Sequence, residues 1–302
     1  MTAKILDGKK LAEKVKESIA NNIVSSSKKA GSKPGLGVIL VGENPASKVY
    51  VGAKGKFAHE CGMETFDINL PESSTFEDVA AAIKQFNNDK AVNGILLQLP
   101  LPKHLDQDPL IDLISPAKDA DGLHPANQGL LMRGKGELRS CTPLGSMRLI
   151  DLAYSGEAEN LDSLNYDLLK ETDLSGKTAV VIGRSILVGK PLSLMLQEKN
   201  ATVTMAHSRT KNLKEICLNS DILVAAIGKA NYVPGDWVKE GAIVIDVGIN
   251  RTQEGKLTGD VNFAEASERA SYITPVPKGV GPMTIAMLVE NTFKAYKKAN
   301  NI

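Results

Sequence analysis

Short apolar runs alternate with segments of helical periodicity along most of the chain, the pattern of an α/β protein built on parallel sheets. In the first half, residues 37–41 and 94–97 are uninterrupted apolar stretches and predict strands buried on both faces. Residues 65–70, lying between them in sequence, predict an edge strand. A helix is expected from Asn44-Pro45, with Asn at the N-cap and Pro at the first helical position, as far as Gly62. A second should open at Ser74, with Glu77 three residues on completing a capping box. The second half restarts the alternation, with strands expected at 178–182, 201–205, 222–226 and 242–247. The last helix, expected over 283–299, carries apolar residues at 283, 286, 287 and 293.

These elements divide into two domains: an N-terminal α/β domain and a Rossmann-like, dinucleotide-binding domain, with the C-terminal helix packing back on the first. The expected boundaries are 1–147 with 282–302, and 148–281. The stretch 154–173 is rich in Glu, Asp, Asn and Ser and predicts a solvated insertion or linker between the two.

In the second domain the strand at 178–182 runs into Gly183-Arg184-Ser185 and on to Gly189-Lys190-Pro191, where a helix begins. A glycine turn between strand and helix directs backbone N–H groups toward a pyrophosphate. The spacing is not GxGxxG, because Ser185 stands where the second glycine would be. Strand–glycine–helix turns also occur in folds that bind no nucleotide, so the three following strands carry part of this reading. NAD sites place an acid about 20 residues past the glycine turn. Here the next strand ends in His207-Ser208-Arg209-Thr210, with no acid. A hydroxyl and a guanidinium there, with Arg184, suit the additional 2′-phosphate of NADP.

In the first domain Tyr50 and Lys54 lie four apart on the expected helix and so share a face. Such a pair is ordinarily a solvated surface. A lysine works as a base near neutral pH only where burial or neighbours lower its pKa from about 10.4. Gln98 follows a buried strand, at the carboxyl end where open sheets place ligands. Asp119-Ala120-Asp121-Gly122 is a polar turn; Asp121 suits the N–H groups of a heterocycle, and turn formation accounts for either acid equally well. Neither acid makes a metal signature, and no metal is expected.

Taken in order, Ile5-Leu6-Asp7-Gly8-Lys9, Tyr50-Val51-Gly52-Ala53-Lys54-Gly55-Lys56, Gln98-Leu99-Pro100-Leu101-Pro102, Asp119-Ala120-Asp121-Gly122, Cys141-Thr142-Pro143, Gly183-Arg184-Ser185 and the run from Thr274 to Thr284 resemble the methylenetetrahydrofolate dehydrogenase/methenyltetrahydrofolate cyclohydrolase family over nearly the whole chain. The resemblance implies NADP-dependent oxidation of 5,10-methylenetetrahydrofolate to the methenyl cation, then hydrolysis to 10-formyltetrahydrofolate. It makes the first domain folate-binding and the second NADP-binding. It makes Lys54 the central residue of hydrolysis, with Tyr50 lining the same site, Gln98 bonding Lys54 and Asp121 gripping the pterin. Leu99, Pro277, Gly279 and Gly281 join the folate contacts. The cofactor set becomes Gly183, Arg184, Ser185, Gly189, His207, Ser208, Arg209, Gly228 and Ile249. A homodimer acting on folates, polyglutamylated forms included, is also implied. Two departures stand out: Lys278 replaces a second glycine of the family pattern, and the 154–173 connection is long.

Alternatives in the same class are a dehydrogenase without cyclohydrolase activity or one preferring NAD. In another class stands a catalytically silent folate- or nucleotide-binding regulator. Presence of Tyr50, Lys54, Gln98 and Asp121 together speaks against loss of hydrolysis and against a silent regulator, and Ser208 with Arg209 against NAD. Bulk properties narrow the partners. The net charge of +1 gives no broad attraction to nucleic acid or an anionic membrane. Cys61, Cys141 and Cys217 are far apart, which fits a reducing compartment. No apolar run reaches the roughly 18 residues of a membrane span. The basic N-terminal segment 1–23 is interrupted by Asp7, Glu13 and Glu17, so it is expected to be a helix of the fold rather than a transit peptide. The expected location is the cytoplasm, with an organelle left open.

Overall fold

A computed structural model of the chain describes residues 2–252 and 254–302, and of Ala46 the backbone only. In chain order the elements begin with β1 (Lys4–Ile5), α1 (Gly8–Ala30), β2 (Gly35–Val41), α2 (Pro45–Glu60) and β3 (Glu64–Leu70). Then come α3 (Phe76–Asn88), β4 (Gly94–Leu97), α4 (Gln107–Ile111), α5 (Pro125–Met132) and α6 (Cys141–Ser155). The second half contains β5 (Thr178–Ile182), α7 (Gly189–Glu198), β6 (Thr202–Ala206), α8 (Leu213–Leu218), β7 (Ile222–Ala225) and β8 (Ile243–Asp246). It closes with β9 (Asn250–Arg251), β10 (Leu257–Thr258), α9 (Phe263–Ser267), β11 (Tyr272–Ile273) and α10 (Val280–Ala299).

The chain divides into two compact units, residues 1–14 with 142–284 and residues 15–141 with 285–302. In the second of these, β2 lies between β3 and β4 in a parallel three-stranded sheet. Every residue of β2 and β4 is buried, as their unbroken apolar runs require, whereas β3 at the edge alternates toward exposure. The α3 stripe Val79, Ala82, Ile83 and Phe86, spaced three and four apart, packs with Ile39, Ile95 and Leu97 in one core cluster. The C-terminal helix belongs to this unit from Ile285 onward: Asn291 donates to the Ala120 carbonyl at 2.9 Å and the Tyr296 hydroxyl to that of Ser32 at 2.7 Å. Residues 283, 286, 287 and 293 are all buried.

The other unit is a parallel six-stranded sheet in the order β1-β11-β8-β7-β5-β6. Chain order reverses at β5, whose neighbours are β6 and β7, so the crevice at the carboxyl ends of β5 and β7 is a topological switch point. A core cluster containing Val180, Ile182, Leu223, Ala225 and Val244 lies in this unit.

Four sequence expectations change. The first domain was expected to begin at residue 1, but β1 pairs with β11, and residues 1–14 cluster with the six-stranded sheet. The unit boundaries fall at Thr142 and Ile285 rather than at 148 and 282. The segment 154–173 does not link the units. It follows α6 within the six-stranded unit, sinks Ala158 and Leu161, and receives ion pairs from Lys4 to Glu159 and from Lys10 to Asp162. Finally, the capping box of α3 is Thr75 with Asp78, one residue past Ser74 and Glu77. The chain here offers two overlapping patterns. Ser74 is consumed by the preceding turn, its N–H donating to the Pro71 carbonyl at 3.0 Å while its own carbonyl meets His104 Nε2.

Thr75→Ala removes the box and should cost about 1 kcal/mol, seen as a fall of about 2–4 °C in thermal midpoint; Ser74→Ala should leave the helix terminus unaffected by comparison.

Candidate functional site

Asn44 caps α2 by accepting the Ser47 N–H on its side chain at 3.2 Å, and that start sets which residues face inward. Lys54, in the middle of the helix, is 9% exposed, whereas Tyr50 one turn earlier is 41% exposed. Gln98 continues the β4 ladder, its N–H donating to the Ile39 carbonyl at 2.9 Å, and then projects its side chain to α2. Lys54 Nζ donates to Gln98 Oε1 at 3.0 Å. Gln98 Nε2 in turn donates to the Leu99 carbonyl, which fixes the amide's orientation.

The acidic turn runs beside the same strand. Asp119 bridges to Ile95 in parallel fashion and is 1% exposed. Its carboxylate accepts the N–H groups of Leu123 and His124 at 3.1 and 2.9 Å and the side chain of Asn127 at 2.8 Å. Burial raises its pKa. Asp119 is therefore the brace of the turn, and Asp121 is the acid that the turn displays, half-buried. Cys141 lies against it: burial pushes the thiol well up, the Asp121 carboxylate adds to that, and Lys54 acts in the opposite sense. Asn291 braces both flanks, donating to the carbonyls of Ala120 and Arg139 at 2.9 and 2.7 Å. Sequence reasoning missed Asn291 and gave Cys141 no place beside Asp121. Each meets the site through contacts distant in sequence, which periodicity does not reveal.

In the six-stranded unit the expected cofactor residues gather at the carboxyl ends of adjacent strands. Gly183 follows β5 with φ +136°, and a Cβ there would meet the Ala226 carbonyl at 2.3 Å. Ser185 closes the turn by accepting the Val188 N–H at 3.1 Å, and α7 begins at Gly189. After β6, residues 207–210 form a tight turn: the Thr210 N–H donates to the His207 carbonyl and the Arg209 N–H to His207 Nδ1. His207 is thus an organiser of the turn that leaves Ser208 and Arg209 exposed, as Arg184 is. Gly228 follows β7, and Ile249, 47% exposed, follows β8. The loop with Pro277, Gly279 and Gly281 follows β11 on the same edge. Gly279 is buried and has no room for a Cβ against the Pro275 carbonyl, whereas Pro277 is exposed.

Fold and site together define a two-unit α/β protein, one unit built for a dinucleotide at a switch point and the other holding a buried lysine at a strand end. Residues 6–121 match the catalytic-domain model of the tetrahydrofolate dehydrogenase/cyclohydrolase family and residues 165–300 its NAD(P)-binding-domain model. The chain belongs to this family. It is 48% identical to the bifunctional protein FolD of Magnetococcus marinus, with 99% of each chain covered. The crystal structure of the bifunctional FolD enzyme of Campylobacter jejuni is 45% identical, with a TM-score of 0.88 and coverage of 97% and 98%. The dehydrogenase-cyclohydrolase of Trypanosoma brucei, solved with NADP and an inhibitor, is 36% identical, with a TM-score of 0.88 and coverage of 99% and 98%.

One acid at the end of β8 makes this unit sensitive to pH. Burial pushes Asp246 up to about 7, and the charge of Asp260 adds to that against three backbone N–H donors. A carboxyl raised in the fold contributes stability that is full below its unfolded pKa and lost as pH rises through the folded value. The thermal midpoint should therefore carry a component that falls between about pH 4 and pH 7. Melts of the wild type and Asp246→Asn across that range should show the component in the wild type alone; parallel profiles would refute it.

Proposed function

We propose that the chain is a bifunctional enzyme of one-carbon folate metabolism, oxidising 5,10-methylenetetrahydrofolate with NADP and hydrolysing the 5,10-methenyl cation to 10-formyltetrahydrofolate. The observation that carries this reading is the buried Lys54 held on Gln98 in a chain of this family.

NADP, when bound, supplies the hydride acceptor for the first reaction. The residues fit it: a glycine turn at a helix N-terminus suits a pyrophosphate, and Arg184, Ser208 and Arg209 suit a 2′-phosphate, with no acid after β6 to repel it. In the hydrolytic step the methenyl carbon is already electrophilic, and its positive charge disfavours a second one beside it. Lys54, oriented by Gln98 Oε1, takes a proton from the attacking water. The bond from that carbon to N5 then breaks, N5 gains a proton, and the added oxygen becomes the formyl oxygen. One proton is released overall. Asp121 accepts hydrogen bonds from the pterin, and Tyr50, Leu99, Pro277, Gly279 and Gly281 contact the substrate. In this reading the unit of residues 15–141 with 285–302 carries the hydrolytic groups and the unit of the six-stranded sheet carries the cofactor.

The same reading places the enzyme in the cytoplasm as a homodimer that accepts polyglutamylated substrates. The location alone draws on the structure: the three cysteines are free and buried, as suits a reducing compartment, and no helix among the described residues is long and apolar enough to cross a membrane.

Purified protein given methylenetetrahydrofolate with NADP should form the methenyl and then the formyl product. Lys54→Met should keep the fold and lose hydrolysis by about a hundredfold or more, the scale of losing a general base. Normal hydrolysis in that variant would remove Lys54 from its role. Arg184→Ala with Ser208→Ala should lower kcat/KM for NADP at least about tenfold more than for NAD, the scale of losing charge-assisted hydrogen bonds; an unchanged ratio of the two would reject the assignment of the 2′-phosphate site.

A further inference from the structure

Two carboxylates with no part in the chemistry above lie behind the cofactor edge. Asp246 ends β8 and is 4% exposed, and Asp260, between β10 and α9, is fully buried. Asp246 accepts the N–H groups of Gly248, Asp260 and Val261 at 3.0, 2.9 and 2.9 Å. Asp260 takes three consecutive N–H groups, those of Ile227, Gly228 and Lys229, together with the side-chain amide of Asn250 at 2.9 Å. Each of its oxygens receives two donors, the full complement a carboxylate offers.

The pair is interlocked through absent side chains. A Cβ on Gly248 would stand 2.2 Å from the Asp260 carboxylate, and one on Gly259 would stand 1.8 Å from Asp246 Oδ2. Asp260 therefore occupies the space beside the turn after β8, and Asp246 the space beside the segment that carries Asp260. The turn 227–229 after β7 and the turn 247–250 after β8 are tied to one buried carboxyl group. Those turns carry Gly228 and Ile249.

A dinucleotide at a switch point lies across the carboxyl ends of the strands. With the 2′-phosphate assigned to Ser208 and Arg209 after β6, the opposite, nicotinamide end falls toward β7 and β8. We propose that Asp260, locked in place by Asp246, is a positioning residue for the nicotinamide half of the cofactor, acting through the turns that carry Gly228 and Ile249. The inference rests on the NADP reading of this unit. Asp260 serves hydride transfer and not hydrolysis, because the hydrolytic groups Lys54 and Gln98 lie in the other unit and that step needs no cofactor. A carboxylate is required because four donors converge on it. An asparagine of the same shape has one acceptor oxygen and sets an NH2 group against backbone N–H groups.

The bifunctional enzyme carries its own control. Asp260→Asn should raise the KM for NADP about tenfold or more, the cost of leaving buried donors unpaired, and weaken NADP binding in a fluorescence titration in step. Hydrolysis of methenyltetrahydrofolate should stay within about twofold of wild type, since no hydrolytic group is touched. Asn250→Ala, which removes one donor and leaves the backbone bonds, should raise the KM for NADP about threefold, the low end for one hydrogen bond. Should Asp260→Asn fail to fold, Asn250→Ala decides. An unchanged NADP KM in folded variants, or equal losses in both reactions, overturns the assignment. A wild type with no NADP-dependent oxidation would instead defeat the functional reading on which it rests.

Discussion

The hydrogen bond between Lys54 and Gln98 is the constraint around which residues 15–141 are arranged. A lysine amine that is nine-tenths buried loses most of its water, and without an acceptor the loss would be costly. Gln98 supplies the acceptor only in one orientation. With its Nε2 donating to the Leu99 carbonyl, Oε1 faces Lys54; turned over, the amide would set donor against donor. That orientation depends on where β4 ends, which depends on the register of β4 with β2, fixed by four buried residues in a row. The apolar core thus does chemical work at a distance, by delivering one amide oxygen to one amine.

The two units solve different problems with the same parallel sheet. Around Lys54 the polar groups are few and are oriented by buried side-chain braces such as Asp119 and Asn291. At the cofactor edge the candidate contacts are backbone turns and exposed side chains, and the braces lie behind them. A small, nearly flat substrate needs a few polar anchors in a dry slot. A dinucleotide with charged phosphates needs a row of turns along the carboxyl ends of several strands. In both places the residue that touches solvent is held by a buried partner that does not.

How much of this the amino-acid sequence displays follows from the range of the interactions. Continuous apolar runs place β2, β4, β5, β7 and β8 to within two residues at every end, because a strand buried on both faces must be apolar throughout. Lys54, Tyr50, Gln98 and Asp121 are singled out only by the family resemblance that the short motifs carry jointly, since each alone reads as a solvated face or a turn. The two-residue strands β1 and β11 leave no periodic trace, although they transfer the N-terminus to the other unit. Helix α6 is obscured by Pro143 and Gly145 in its first turns. The segment 154–173 has the composition of a linker, and its anchoring by Ala158 and Leu161 depends on packing that composition does not express. Asn291 reaches Ala120 across 171 residues, and no local pattern announces such a brace.

Lys278 shows how a residue with a side chain can occupy a left-handed position in a tightly packed loop. It has φ +83°, in the left-handed region, where a residue with a Cβ is strained by about 1–2 kcal/mol. The loop is set by its neighbours: the Lys278 carbonyl accepts the Lys9 N–H at 3.0 Å, Gly279 has no space for a Cβ against the Pro275 carbonyl, and Gly8 has none against that of Gly279. Those glycines are required by close approach of backbone to backbone. Position 278 is required only to adopt an unfavourable φ, and its side chain is exposed. A lysine there therefore costs backbone strain without obstructing the loop. The path through Gly279 stays the one the tight contacts dictate, and a glycine at 278 would bring conformational ease rather than space.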